Sequence, residues 1–421
     1  MLPSDSSVQP RRVALVDAFS QARHLLPVLH RLGIECVHLR SAHPDVVQAR
    51  LPLFEGFVAT LRHDGDLAAT VSALRDHEVD WVIAAAESGV ELADRLCAAL
   101  GTPGNGMSRP TARRDKYEMV QALRAAGVEH AATIVSADAE EVVEWAERTA
   151  GYPVVLKPVA SSGTDNVVAC SSADQIRAVH RKIMSSADNH GLPNTTVLAQ
   201  EFLDGAEYFL NTVSRDGRHR TAEIWRYHKT RLPGGNIIYD YNEPVPPDHP
   251  DARTLESYTH RVLDALEVRN SAGHTEVMMT AAGPVLVECA ARPGGGQAPD
   301  IANRCLGTSQ IDLIALAVAD PEGFGQLPTT VYRLLQRLRY VHLINPYEQG
   351  VAPSEEAMAL IRALPSYAHA VTAFPGGTPL SRTVDVDTQP GYVILISEDA
   401  DQLLADYRRI REIERDHLYS N

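Results

Sequence analysis

Between residues 13 and 105, short apolar runs alternate with stretches whose apolar residues recur every three or four positions. Residues 13–16, 35–39 and 81–85 have the length and composition of buried strands. Residues 22–32, closed by Gly33, and 67–77 have helical spacing. Strand–helix–strand rhythm predicts a parallel sheet with crossover helices. A nicotinamide-binding domain is the reflex assignment, and it fails. The first strand runs into Asp17-Ala18-Phe19-Ser20, with no G-x-G-x-x-G to let a pyrophosphate approach the backbone.

The stretch 103–110, rich in Gly, Asn and Ser between two prolines, breaks this rhythm. A helix over 113–126 ended by Gly127, a strand at 133–135, a helix over 138–150 closed by Gly151 and a strand over 152–157 follow. Strands are then expected at 167–170, 197–200, 207–214 and 221–227, with helices near 173–185 and 252–265. Strands 275–280 and 285–291 flank the turn Ala281-Ala282-Gly283-Pro284 and form a hairpin. Further strands near 341–343 and 391–397 precede a final helix over 400–417. A chain of 421 residues is too long for one core. The pattern divides it into an N-terminal α/β unit (1–108, parallel βαβ), a central α+β unit with antiparallel sheets (109–326) and a small C-terminal α+β unit (327–421).

Composition narrows the function classes. The formal charge is −15 with no dense Lys/Arg block, which argues against a nucleic-acid partner. Five scattered cysteines without metal spacing read as buried thiols of a reduced, intracellular protein. No apolar run is long enough to cross a bilayer, so no membrane partner is expected. Residues 1–12 are polar and the run 13–16 is cut short by Asp17; no signal peptide is predicted and a cytoplasmic location is the expectation.

The predicted hairpin carries the chemistry. Thr275-Glu276-Val277 and Val287-Glu288-Cys289 put a carboxylate on each arm, and Arg292 and Gly294-Gly295-Gly296 follow. Alternation puts Glu288, Ala290 and Arg292 on one face. Two hard oxygen ligands near a guanidinium suit Mg²⁺ carrying phosphates. A surface ion pair is the plainer alternative, but Val285-Leu286-Val287 argue for burial. Lys157 ends an apolar strand and would need an anionic partner there. The loop after it, including Ser161, Ser162, Gly163 and Asn166, offers N–H groups and hydroxyls to phosphate oxygens. In Gln200-Glu201-Phe202-Leu203-Asp204-Gly205-Ala206-Glu207, an acidic strand end and turn lead to a second acid. An adenine edge and a ribose could be met this way, or the segment is a plain turn with surface acids.

In order and spacing these elements resemble the ATP-grasp family of carboxylate–amine ligases, from about Asp115 to Gly296. The likeness is nearest to the L-amino acid ligases that form dipeptides. The small closing domain of those ligases is similar to the segment around Ser381-Arg382-Thr383-Val384-Asp385-Val386 and its sequel. The resemblance implies an ATP-grasp fold with Lys116 and Lys157 as ATP lysines and Ser161–Gly163 as the loop over the phosphates. It implies Gln200, Glu201, Phe202 and Leu203 as the adenine hinge, Glu207 on the ribose, and Glu276 and Glu288 as Mg²⁺ ligands. Arg292 would meet the transferring phosphate. The family often has Asn two residues after the second metal glutamate; here stands Ala290, which leaves one or two ions open, with Mn²⁺ as a substitute.

The implied reaction uses ATP to activate a carboxylate as an acyl-phosphate, which an amine attacks to give an amide, ADP and phosphate. Both substrates would be amino-acid-like. Arg226, Lys229, Tyr241, Gly294 and Gly295 are candidate substrate contacts; His228 and His274 are left unassigned. A homodimer is expected from the likeness alone. Three rivals stand beside this reading: a biotin-carboxylase-like enzyme, for which no biotinyl-lysine motif is seen, a purine-pathway ATP-grasp enzyme, and a nucleotide-binding pseudoenzyme or scaffold.

Overall fold

The computed structural model describes residues 11–41, 55–159, 167–187, 193–231, 237–295, 298–386 and 388–419. Strands β1 (Arg12–Val16), β2 (Glu35–Arg40), β3 (Ala59–Arg62) and β4 (Trp81–Ala84) form the first sheet, in the order β3-β2-β1-β4. All its pairings are parallel, as the alternating pattern predicts. β1 and β4 are continuous buried runs, as strands covered on both faces must be. The edge strand β3 alternates between half-buried and exposed residues, so no apolar run announces it. The carboxyl ends of β1 and β4 lie side by side, and the loops leaving them carry Asp17 and Glu87.

The second sheet is antiparallel, in the order β5 (Thr133–Ser136), β8 (Val197–Glu201), β6 (Val154–Pro158), β7 (Val168–Cys170). Helices Ala139–Trp145 and Ala173–Met184 cover it through Val142, Ile176 and Ile183, packed on Val154, Leu156 and Val197. The helix Lys116–Ala125 begins where Asp115 Oδ1 accepts from the N–H groups of Tyr117 and Glu118 at 2.8 and 2.9 Å. That cap fixes where Lys116, the first helical residue, points.

The third sheet holds β9 (Gly205–Arg215), β10 (Arg218–Arg231), β11 (Ile237–Pro244), β12 (Ala272–Thr280), β13 (Gly283–Ala290) and β14 (Arg337–His342). With β16 (Tyr367–Thr372) and β18 (Gly391–Ser397) it runs β13-β12-β9-β10-β11-β14-β18-β16. β15 (Gln349–Val351) and β17 (Pro379–Ser381) pair separately. The sheet therefore continues past Leu327, joined where Tyr241 pairs with Val341. β11 escapes a sequence reading because its register shifts between His228 and Lys229 of its neighbour, which interrupts the two-residue period. Among the described residues, no helix is long and apolar enough to cross a membrane.

One buried cation ties the N-terminal sheet to the rest. The Arg113 guanidinium donates to Asp94 Oδ2, to the Leu266 carbonyl and to the Gly106 carbonyl, each at 2.8 Å. The Arg113 and Asp94 side chains are 0% and 5% exposed. Burial drives the Asp94 carboxyl above its usual range despite Arg113. Arg113→Met strands this carboxylate and is expected to cost about 3–5 kcal/mol in chemical denaturation. Adding Asp94→Asn should restore most of the loss.

Candidate active site

The β12–β13 ladder sets Glu276 directly opposite Glu288, with a register shift just beyond. On its other side β12 pairs with β9, so that Glu276 lies beside Phe209 and His274 beside Asn211. Alternation brings Glu207, Tyr227 and Lys229 to the same face. Lys116 reaches this face from its helix, with Nζ 2.9 Å from Glu288 Oε1. Lys157, near the end of β6, is buried and donates to Gln200 Oε1 at 3.2 Å. Among the described residues it has no carboxylate partner.

The electrostatics follow from this crowding. Burial, with Lys116 nearby, lowers the Lys157 ammonium to about 8 against the pull of Glu288, Glu276 and Glu207. Burial alone would raise Glu276, but the His274 hydrogen bond and charge, Lys229 and the Tyr227 hydroxyl hold it near 2. Tyr227 OH donates to Glu276 Oε1 at 3.0 Å, and His274 Nε2 stands 3.6 Å from the same oxygen. Burial keeps Glu207 above the usual carboxylate range although Lys229 donates to it at 2.6 Å. The Lys229 Nζ also lies 4.7 Å from the Tyr239 ring centroid, and the Tyr227 and Tyr239 rings are 4.6 Å apart. A buried polar chain supports the whole. Trp225 Nε1 and Asn211 Nδ2 donate to Glu223, each at 2.7 Å, and Asn211 Oδ1 meets His274 Nδ1 at 2.7 Å.

Several expected residues converge here: Lys116, Lys157, Gln200, Glu207, Lys229, Glu276 and Glu288. Glu201 turns its carboxylate to the Ala132 N–H at 3.0 Å, and exposed Phe202 with half-buried Leu203 forms the turn into β9. Ser161, Ser162 and Gly163 lie outside the described residues. Arg292 donates through Nε to Glu87 Oε2 at 2.9 Å and through Nη1 to the Pro293 carbonyl. The Gly294 N–H donates to Gln310 Oε1 at 2.8 Å, and a Cβ there would meet Asn211 Oδ1 at 2.5 Å. Gly295 has open space.

Two expectations are corrected. Arg226 pairs in register with Tyr208 and Glu243, and its charge is felt by Tyr208 and Tyr241. Tyr241 stacks on His228 at 4.1 Å and lies 4.2 Å from the Arg339 guanidinium. Both therefore sit on the opposite face. Plain alternation turns Arg226 away, since it lies between Trp225 and Tyr227, and the register shift turns Tyr241 away by pairing Tyr239 with Lys229 but Tyr241 with His228. Tyr239 replaces Tyr241 in the cluster, and His274, left unassigned by sequence, belongs to it. His274 was legible as the residue two before Glu276 on the same face; Glu87, 205 positions from Arg292, left no local signal.

Among the described residues, no group of three or more His, Cys, Asp or Glu side chains is placed to hold a metal. Two facing carboxylates fit Mg²⁺, which completes its shell with water and phosphate oxygens. The buried Lys157, without a carboxylate partner among the described residues, fits a phosphate.

Residues 150–300 match the ATP-grasp domain. The L-amino acid ligase of Bacillus licheniformis superposes with a TM-score of 0.73 at 17% identity, over 96% of this chain and 98% of that one. Phosphoribosylglycinamide synthetase of Anaerococcus prevotii gives 0.65 at 15%, covering 96% and 98%. These define the ATP-grasp fold. Dapdiamide A synthase of Enterobacter agglomerans is 32% identical over 419 residues, 97% of this chain and 96% of that protein. The chain belongs to the ATP-grasp ligases and is an ATP-dependent enzyme that forms C–N bonds.

Because the folded Lys157 titrates near 8 and the unfolded one near 10.5, the unfolded chain holds the extra proton between those values. Relative to Lys157→Met, the wild type should therefore gain about 3 kcal/mol of stability as pH rises from about 8 to about 10.5. Denaturant titrations of both proteins across that window check this.

Proposed function

We propose that this enzyme joins two amino-acid-like substrates by a peptide-type amide bond, through an acyl-phosphate, releasing ADP and phosphate. The observation that carries the reading is the facing pair Glu276–Glu288 with Lys116 bonded to one of them and Lys157 buried beside them, with no carboxylate partner among the described residues. Phosphoryl transfer needs positioned positive charge more than covalent help from the protein. Lys116 and Lys157 provide it. Mg²⁺, held by Glu276 and Glu288 as one or two ions and replaceable by Mn²⁺, would polarise phosphate oxygens when bound. With Ala290 in place of an amide side chain, a second ion would rest on the two glutamates and phosphate alone.

The remaining roles are those that the family resemblance implies. Gln200–Leu203 lies against the adenine and Glu207 serves the ribose, with Lys229 holding its carboxylate. Ser161, Ser162 and Gly163, which lie outside the described residues, are assigned to the phosphates by the resemblance alone. Arg292, always charged, meets the phosphate in transfer and the oxyanion that forms when the amine attacks. Gly294 and Gly295, ahead of the helix Pro299–Leu306, are assigned to substrate, with open space at Gly295 and Asn211 packed against Gly294. The name of the dapdiamide A relative supports a peptide-like amide product. Three functional units, 1–108, 109–326 and 327–421, a cytoplasmic homodimer and no nucleic-acid or membrane partner complete the proposal.

The test is phosphate release from ATP and Mg²⁺ over a matrix of paired amino acids, with mass spectrometry of the products. Release should require both partners, yield a condensed product, and fall at least about 100-fold in Glu288→Gln. Release that needs only one partner, or persists in Glu288→Gln, contradicts the reading.

A further inference from the structure

The N-terminal sheet sends one carboxylate into the site. Glu87 leaves the end of β4 in the short turn Glu87–Gly89, and three features hold that turn. Ser88 Oγ donates to Asp17 Oδ2 at 2.5 Å. Asp17 is itself buried at the end of β1 and accepts from the Ser41 N–H and hydroxyl at 2.8 and 2.6 Å. Gly89 packs so closely on β1 that a Cβ would meet the Val16 carbonyl oxygen at 2.9 Å. Asp17 has φ 56°, a left-handed conformation that costs a non-glycine residue energy and here aims its carboxylate at Ser41 and Ser88.

Glu87 is thereby set against two arginines. Its Oε2 accepts from Arg292 Nε at 2.9 Å, its Oε1 stands 3.8 Å from Arg114 Nε, and its carbonyl accepts from Arg114 Nη1 at 3.0 Å. With Arg292 Nη1 bonded to the Pro293 carbonyl, two of the three guanidinium nitrogens are fixed. Nη2 makes no hydrogen bond among the described residues. A planar fork held at two corners presents its third in one direction.

We propose that Glu87 is a positioning residue: it fixes the Arg292 guanidinium so that Nη2 faces the reacting phosphate and oxyanion. Through it the N-terminal sheet, by way of Asp17 and Ser88, becomes part of the catalytic device. The inference rests on the ligase reading and adds to it a residue whose carboxylate meets Arg292 and Arg114. Burial would raise the Glu87 carboxyl, and the charges of Arg292 and Arg114 outweigh it, so the group stays ionised.

The test compares Glu87→Gln, Glu87→Asp, Arg292→Met and the double variant Glu87→Gln/Arg292→Met. It measures kcat for phosphate release, ADP·Mg²⁺ affinity by calorimetry, and melting temperature. Misplacing a group by about 1 Å costs about 100-fold, so Glu87→Gln should lose about that much in kcat with ADP affinity kept within about twofold. Glu87→Asp should recover about tenfold of it, and Glu87→Gln should change kcat less than about twofold in the Arg292→Met background. A Glu87→Gln enzyme within about threefold of wild type, or a loss that persists in full without Arg292, overturns the proposal. Should Glu87→Gln not fold, Glu87→Asp decides: a loss of about tenfold that vanishes in the Arg292→Met background supports it, and no loss overturns it. A wild type inert with every substrate pair would sink the ligase reading instead. The melting temperatures then judge Glu87, with non-additive shifts expected and additive ones overturning the pairing.

Discussion

Two carboxylates face each other across the β12–β13 ladder, and like charges directly opposite in a sheet repel. The site is organised around relieving that repulsion. Lys116 takes Glu288; Tyr227, His274 and the charge of Lys229 steady Glu276. Each of these needs its own support: the Asp115 cap for Lys116, the Asn211–Glu223–Trp225 chain for His274, and Glu207 with Tyr239 for Lys229. The surrounding cations relieve the pair in part. Among the described residues Lys157 has no carboxylate partner, which leaves the site poised for an anion that brings its own divalent cation.

Much of this was legible because it is local. Acid–apolar alternation about a Gly-Pro turn marked the hairpin, and a lysine closing an apolar strand marked Lys157. Lys116 was reached only through the family resemblance, because the expected helix began at 113 and put Asp115 inside it, whereas Asp115 caps a helix that starts at Lys116. What escaped is either irregular or remote. A register shift moved Tyr241 off the site and Tyr239 onto it, which no period-two reading anticipates. β3 lacks an apolar run, and β11 hides its alternation behind the same irregularity. The Glu87–Arg292 bond joins residues 205 positions apart on different sheets, so only the assembled fold reveals it.

The fold alone does not choose among the chemistries it hosts, since phosphoribosylglycinamide synthetase superposes with a TM-score of 0.65 beside 0.73 for an L-amino acid ligase. The choice comes from a whole-length relative at 32% identity and from the side chains that remain in place. A scaffold that had abandoned catalysis would have no reason to keep a desolvated lysine, two facing glutamates and an arginine braced from another sheet. Keeping such groups buried costs stability, which a binding role does not require.

The central claim is that a substrate carboxylate is activated by direct phosphorylation. It is tested most directly by supplying that carboxylate labelled with ¹⁸O and following the label through one turnover by mass spectrometry. An acyl-phosphate predicts one labelled oxygen in the inorganic phosphate released and ADP free of label. Label in a nucleotide monophosphate, or unlabelled phosphate alongside amide product, would contradict the account.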